Sequence, residues 1–275
     1  MKEIKKLLSK AKDRNKAGCF VAEGPRMVRE TPPELLKELY VTPSFLMEHA
    51  GEADSLINRE SFAGIREEVS EECMKSLSDT MTPQGILAVV KIPSYTKEEV
   101  LGLEKDVPES ASGMNPENDF DKARFILALE RIQDAGNLGT LFRTAEAAGV
   151  TGILMSKDCV DLFSPKVVRS TMGSLYRMPF YITEDFPGTL KELKKTGCAL
   201  CAALPKATAD YASVDYNRDV VLCIGNEGQG LSHEAVEVAD LPVTIPMEGK
   251  VESLNAAMAG GILMYEVHRC RTHIK

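Results

Sequence analysis

The last third of the chain carries two Gly-rich turns, Gly225-Asn226-Glu227-Gly228-Gln229-Gly230 and Pro246-Met247-Glu248-Gly249-Lys250-Val251-Glu252-Ser253-Leu254-Asn255. Each directly follows a short apolar run, residues 220–224 and 243–245. About ninety residues upstream of the first turn stands Asn137-Leu138-Gly139-Thr140-Leu141-Phe142-Arg143. Apolar runs bounded by glycine read as buried strands, and each turn reads as opening a helix. Glycine at a strand end lets backbone amides approach a ligand with no Cβ in the way. Asn137, Arg143, Glu227, Ser253 and Asn255 fall inside these turns or one helical turn beyond. The pattern predicts a small-molecule site with a polar reactive edge.

Strand and helix signals alternate around these turns. Strands are expected at residues 125–129, 153–155, 199–204 and 220–224, and a helix over 138–148 ended by Gly149. Ser164-Pro165 reads as an N-cap followed by proline at the first helical position. A long final helix is expected over 253–271, with Ser253 as a possible N-cap. Its apolar stripe is Leu254, Met258, Gly261, Ile262 and Tyr265. Such alternation argues for a parallel sheet covered on both faces. Residues 1–92 read as a small α/β domain, with strands at 19–22, 39–41 and 85–91. A helix follows Gly24-Pro25, and another starts at Ser70. Residues 93–122 are rich in Pro, Glu, Ser and Asn and read as a linker or mobile loop. The catalytic domain is then 123–275.

Net charge is −8, but residues 1–29 carry a net +6. A basic arm is an electrostatic footprint for phosphates. Lys12, Arg14, Lys16 and Arg26 in the arm, with Arg169 further on, are therefore candidate phosphate contacts. The plainer reading of the arm is a solvated amphipathic helix. The seven cysteines are irregularly spaced and the four histidines scattered, so reduced thiols are expected and no metal. No run approaches the ~18 apolar residues of a membrane helix, and the first residues lack the apolar core of a secretory signal. The expectation is a cytoplasmic protein.

The three segments, in order and content, resemble the motifs of the SpoU family of RNA ribose 2′-O-methyltransferases, within the SPOUT class. The stretch Phe20-Val21-Ala22-Glu23-Gly24-Pro25-Arg26 resembles the start of that family's substrate-binding domain. The resemblance implies a ribosomal-protein-like α/β domain followed by a Rossmann-like parallel sheet with a deep trefoil knot, a topology that pattern alone argues against. It implies S-adenosylmethionine as cofactor, held by Leu204, Gly225, Asn226, Gly228, Gly230, Ile245, Met247 and Leu254. It also implies catalytic roles for Asn137, Arg143, Glu227, Ser253 and Asn255, pairing of catalytic domains as a homodimer, and RNA, ribosomal RNA above all, as substrate. A tRNA substrate and a nonenzymatic ribosome-assembly role are the alternatives, and the intact polar set argues against the second. A nicotinamide-dependent enzyme is disfavoured because no G-x-G-x-x-G follows an early strand. One departure is Ala256-Ala257 after Asn255, where many relatives carry a hydroxyl residue.

Overall fold

The computed structural model describes residues 1–49, 64–103 and 123–272. In chain order its main elements begin with α1 (Lys2–Ser9), α2 (Ala11–Ala17), β1 (Cys19–Glu23), α3 (Pro25–Glu30), β2 (Leu36–Val41), α4 (Pro43–Glu48), β3 (Ile65–Glu68), α5 (Glu71–Leu77) and β4 (Ile86–Lys91). They continue with α6 (Lys97–Leu101), β5 (Phe125–Leu129), α7 (Ala135–Ala148), β6 (Gly152–Ser156), α8 (Pro165–Thr171), β7 (Phe180–Thr183) and α9 (Phe186–Lys195). The last are β8 (Ala199–Ala203), β9 (Ala209–Asp210), β10 (Val220–Ile224), α10 (His233–Val238), β11 (Leu241–Thr244) and α11 (Ala256–Thr272). Two units result. One contains residues 1–94 with 161–177, the other 95–160 with 178–275.

The first unit is built on a four-stranded sheet in the order β1-β4-β2-β3. Strand β4 runs antiparallel to β1 and β2, and β3 runs parallel to β2. The β3 sequence Ile-Arg-Glu-Glu is exposed throughout, and its charges suit an edge position. That edge strand carries no apolar alternation, which is why the sequence did not announce it. The basic arm forms α1 and α2, with Ile4 and Leu7 buried beside Val21, Leu77 and Val89. Ser70 caps α5 as expected, its hydroxyl accepting from Cys73 N at 3.2 Å.

Residues 161–177 pack with the first unit, although they lie within the sequence expected for the second domain. The reason is aromatic packing: the buried Phe20 ring of β1 lies 5.1 Å from Phe163 and 6.2 Å from Tyr176. Thr31 Oγ1 sits 3.0 Å from the Tyr176 hydroxyl.

The second unit holds a seven-stranded sheet in the order β7-β6-β5-β10-β8-β11-β9, every pairing parallel. The central strands β5 and β10 are buried at every position, as their unbroken apolar runs require. Strand order reverses between β5 and β10, and ligands of open α/β sheets bind at the carboxyl ends beside such a switch point. The linker expected over 93–122 contains α6, whose Thr96 and Glu99 form a capping box. The remaining linker residues from 104 lie outside the described residues.

Two helix starts differ from expectation. Helix α7 begins at Ala135, because Asp134 Oδ1 accepts from Asn137 N at 2.8 Å. Helix α11 begins at Ala256, and the group satisfying its first amides is Asn255, whose Oδ1 accepts from Ala257 N (2.9 Å) and Met258 N (3.2 Å). Ser253 is therefore not its cap. The apolar stripe of α11 also faces outward, with Met258 60% and Tyr265 49% exposed. The buried face is Ala256, Ala257, Gly260, Leu263, Met264 and Val267. Small residues win the inward face because α11 lies close on α7: a Cβ on Gly260 would stand 2.5 Å from Leu141 Cδ2.

Candidate active site

A cavity of about 290 Å³ opens at the carboxyl ends of β8, β10 and β11, near the lower end of small-ligand pockets. All eight residues expected to hold the cofactor line it: Leu204, Gly225, Asn226, Gly228, Gly230, Ile245, Met247 and Leu254. Ala256 and Ala259 of α11 add walls that the sequence reading missed. Their smallness at the start of a helix was the available signal.

The loop after β10 is fixed from within. Asn226 and Gly230 exchange both backbone hydrogen bonds, at 3.0 and 2.9 Å. Asn226 Oδ1 accepts from Gly228 N and Gln229 N, each at 2.9 Å. These two amides, expected to point free into the site, are thus engaged. The three glycines also differ in purpose. A Cβ on Gly225 would stand 2.5 Å from Gly230 O, and Gly230 itself has φ +68°. Both are demanded by the loop's own turn. Gly228 meets only Asn226 Oδ1 at 3.7 Å, so its smallness is free to serve a ligand.

Glu227 is the hub of the polar edge. Its carboxylate accepts from Asn137 Nδ2 at 2.9 Å and from the backbone amides of Gln133 and Asp134, both at 3.1 Å. Asn255 Nδ2 in turn donates to Asn137 Oδ1 at 2.9 Å. One hydrogen-bond chain therefore joins the three motif segments. Burial pushes the Glu227 carboxyl up, but hydrogen bonds from the Asn137 side chain and from backbone amides outweigh it and hold the group below its ordinary value. At neutral pH it is an anion, and it offers no proton. Glu227 and Ser253 line the cavity, whereas Asn137 and Asn255 reach it through this chain. Arg143 is exposed on α7, outside the lining, with no partner among the described residues.

Two residues that carried no visible signal brace the same loop. Arg131 adopts φ 56°, rare for a residue with a Cβ. Its carbonyl accepts from Asn226 Nδ2 at 2.8 Å, and its guanidinium reaches Gly230 O at 3.3 Å. The buried Glu130 accepts from Ser232 N at 2.6 Å.

The candidate RNA contacts divide. Lys12, Lys16 and Arg26 are exposed, and Lys16 feels the Glu3 carboxylate. Arg14 is 4% exposed. Its guanidinium donates to Leu7 O, Leu8 O and the Asp161 carboxylate, so it is a structural tie and not a phosphate contact. Charge counting could not separate it from its neighbours. Arg169 is half-buried and paired to Asp79 at 3.0 Å, which withdraws it in part. Among the described residues no helix is long and apolar enough to cross a membrane.

A parallel α/β sheet with an apolar cavity at the carboxyl ends of β8, β10 and β11, edged by amides and one carboxylate, defines an α/β domain built to bind a small ligand through backbone loops. The chain belongs to the SpoU rRNA Methylase family, whose model matches residues 124–265. Residues 1–88 match the MRM3-like substrate binding domain. The chain is 31% identical over 270 residues to the 23S rRNA (guanosine(2553)-2′-O)-methyltransferase RlmP of Bacillus subtilis, covering 97% of this chain and 95% of that protein. It is 37% identical over 201 residues to an uncharacterized tRNA/rRNA methyltransferase of Synechocystis sp., covering 73% of this chain and 66% of that one. The AdoMet-bound rRNA methyltransferase of Sinorhizobium meliloti superposes with a TM-score of 0.75 at 29% identity, over 98% of this chain and 93% of that one. The SpoU methyltransferase AviRb of Streptomyces viridochromogenes shares the fold, with a TM-score of 0.82 at 24% identity, over 100% of this chain and 98% of that one. The protein is an S-adenosylmethionine-dependent RNA 2′-O-methyltransferase.

Proposed function

We propose that the substrate is ribosomal RNA, and that the protein works in the cytoplasm as a homodimer joined through its knotted C-terminal domain. The hydrogen-bond chain Glu227–Asn137–Asn255 carries the assignment of the reactive edge, because it gathers the three motif segments at the cavity. The cavity suits the cofactor: an apolar floor of Leu204, Ile245, Met247 and Leu254 lies beside an open face at Gly228. The bound cofactor supplies a sulfonium-activated methyl group.

What remains for the protein is alignment and charge control. Asn137 and Asn255 fix the edge against which the ribose lies, and Ser253 offers a hydroxyl at the cavity wall. Glu227, already an anion, ties the loops together and does not protonate substrate. A guanidinium is a donor with no accepting lone pair, so Arg143 is not the base. Its free guanidinium grips the neighbouring phosphate and stabilises the developing alkoxide. The dimer reading rests on α11, where Met258 and Tyr265 stand exposed about two turns apart on a single face.

Methyl transfer from labelled S-adenosylmethionine onto total RNA, followed by mapping of the modified ribose, tests this. A 2′-O-methyl in ribosomal RNA is the expected result. Label confined to tRNA would reassign the substrate, and no ribose label would overturn the reading.

A further inference from the structure

The first unit contains a second cavity that none of the methyl-transfer residues touches. It measures about 380 Å³ and lies among three connections: Gly24-Pro25 after β1, the start and end of α4, and Pro83-Gln84-Gly85 before β4. Two glycines in the left-handed region bring these connections together, Gly24 at φ +94° and Gly85 at φ +73°. A Cβ on Gly85 would stand 2.7 Å from Thr42 Oγ1 and 2.8 Å from Phe45 Cβ. The cavity is thus made by turn chemistry that larger residues would spoil.

Its walls combine flat and polar groups. The His49 ring is backed by Phe45, centroid to centroid 4.8 Å with planes at 32°. Pro25 and Pro83 add apolar surface. Glu71 is engaged with the Ser44 hydroxyl. Glu48 is exposed and has no partner among the described residues. Gln84 supplies an amide. Arg26, next in sequence to the lining Pro25, is exposed and without a partner among the described residues. Met81, 97% exposed, projects from the same loop as Pro83.

The lining carboxylates Glu48 and Glu71 disfavour a phosphate within the cavity, and an exposed guanidinium next in sequence to Pro25 is available to one outside it. Proteins that read RNA sequence take up unstacked bases on aromatic rings and read their hydrogen-bonding edges. An ionised carboxylate only accepts, and can take two hydrogen bonds at once. Guanine alone presents two adjacent donors, N1–H and N2–H₂, on its Watson–Crick edge, with O6 beside them for an amide N–H. Adenine and cytosine set a ring-nitrogen lone pair against the carboxylate, and uracil offers one donor between two carbonyls.

We propose that this cavity receives one unstacked guanine of the RNA substrate, stacked on His49, read by Glu48 and Gln84, with Arg26 on its phosphate. The base is recognised here, not modified. The inference rests on the RNA-methyltransferase reading only for the class of ligand.

The test measures affinity of the full chain for short uridine oligomers carrying a single central guanosine, inosine, adenosine or cytidine. Guanosine should bind at least about fivefold tighter than adenosine or cytidine, the low end of a stacked, hydrogen-bonded base. Inosine, lacking the N2 amino group, should fall between. Glu48→Gln should abolish the preference, and His49→Ala should weaken the guanosine oligomer by about fivefold or more. S-adenosylmethionine affinity, unchanged in both variants, reports that they fold. Equal binding of the four oligomers, no binding of any, or a preference surviving Glu48→Gln overturns the proposal. A wild-type guanosine preference without methyl transfer would overturn the proposed function and leave this cavity standing.

Discussion

At the residue scale the site rests on groups of two kinds, those the fold needs and those the reaction needs, and substitution should separate them. Gly225→Ala should destabilise the protein by about 1–3 kcal/mol through overpacking against the Gly230 backbone, seen as a lower Tm with or without cofactor. Gly228→Val should keep the Tm near that of the parent and weaken S-adenosylmethionine binding at least tenfold by calorimetry. Equal affinity would remove Gly228 from the cofactor wall. Arg143→Ala should abolish turnover with cofactor affinity within a few-fold, and Arg143→Lys should rescue poorly, since a point charge lacks the planar fork. Near-normal methylation by Arg143→Ala would sink that role. Glu227 makes a pH prediction. Its carboxyl is held below the unfolded value of about 4.3, so its stabilisation is fully present above that pH and is lost as pH falls through the depressed value. Parent and Glu227→Gln melting curves should differ at neutral pH and converge in acid. The sequence made the cavity lining and the polar set legible because glycine and amide residues at strand ends have few other uses. Arg131, Glu130 and Arg14 were illegible, since their roles depend on backbone angle and burial, which a charged residue's identity does not reveal.

At the level of elements, strands were legible wherever both faces are buried, as in β5 and β10. The exposed edge strand β3 and the short helix α6 were not, because neither has an apolar period. Helix α11 shows how a correct pattern can be assigned to the wrong face. Met258 and Tyr265 looked like core contacts, yet the buried face is offset from them: Ala256, Ala257 and Gly260 begin it, where close approach to α7 excludes bulk at Gly260, and Leu263, Met264 and Val267 continue it. The outward stripe then supplies the dimer prediction. Met258→Asp together with Tyr265→Asp should convert the protein to a monomer in sedimentation while preserving the far-UV spectrum. An unchanged dimer would place the interface elsewhere.

Across the whole molecule, charge and burial together locate the phosphate contacts. Lys12, Lys16 and Arg26 are exposed cations of the arm, whereas Arg14 is spent internally. Replacing the three by Gln should reduce the log–log salt slope of RNA binding by roughly 1 to 3 without touching cofactor affinity. An unchanged slope would make the arm a solvated surface. Arg14→Ala should instead cost stability, on the order of 3 kcal/mol, by stranding Asp161 and two backbone carbonyls. The loan of residues 161–177 to the first unit has a consequence during synthesis. A nascent chain that has emerged only to residue 94 holds the whole four-stranded sheet but not Phe163, Tyr176 or Asp161, so the Phe20 ring and the Arg14 guanidinium have no cover. The N-terminal unit therefore cannot complete its packing until residue 177 has emerged, so its folding overlaps the synthesis of the unit encoded after it.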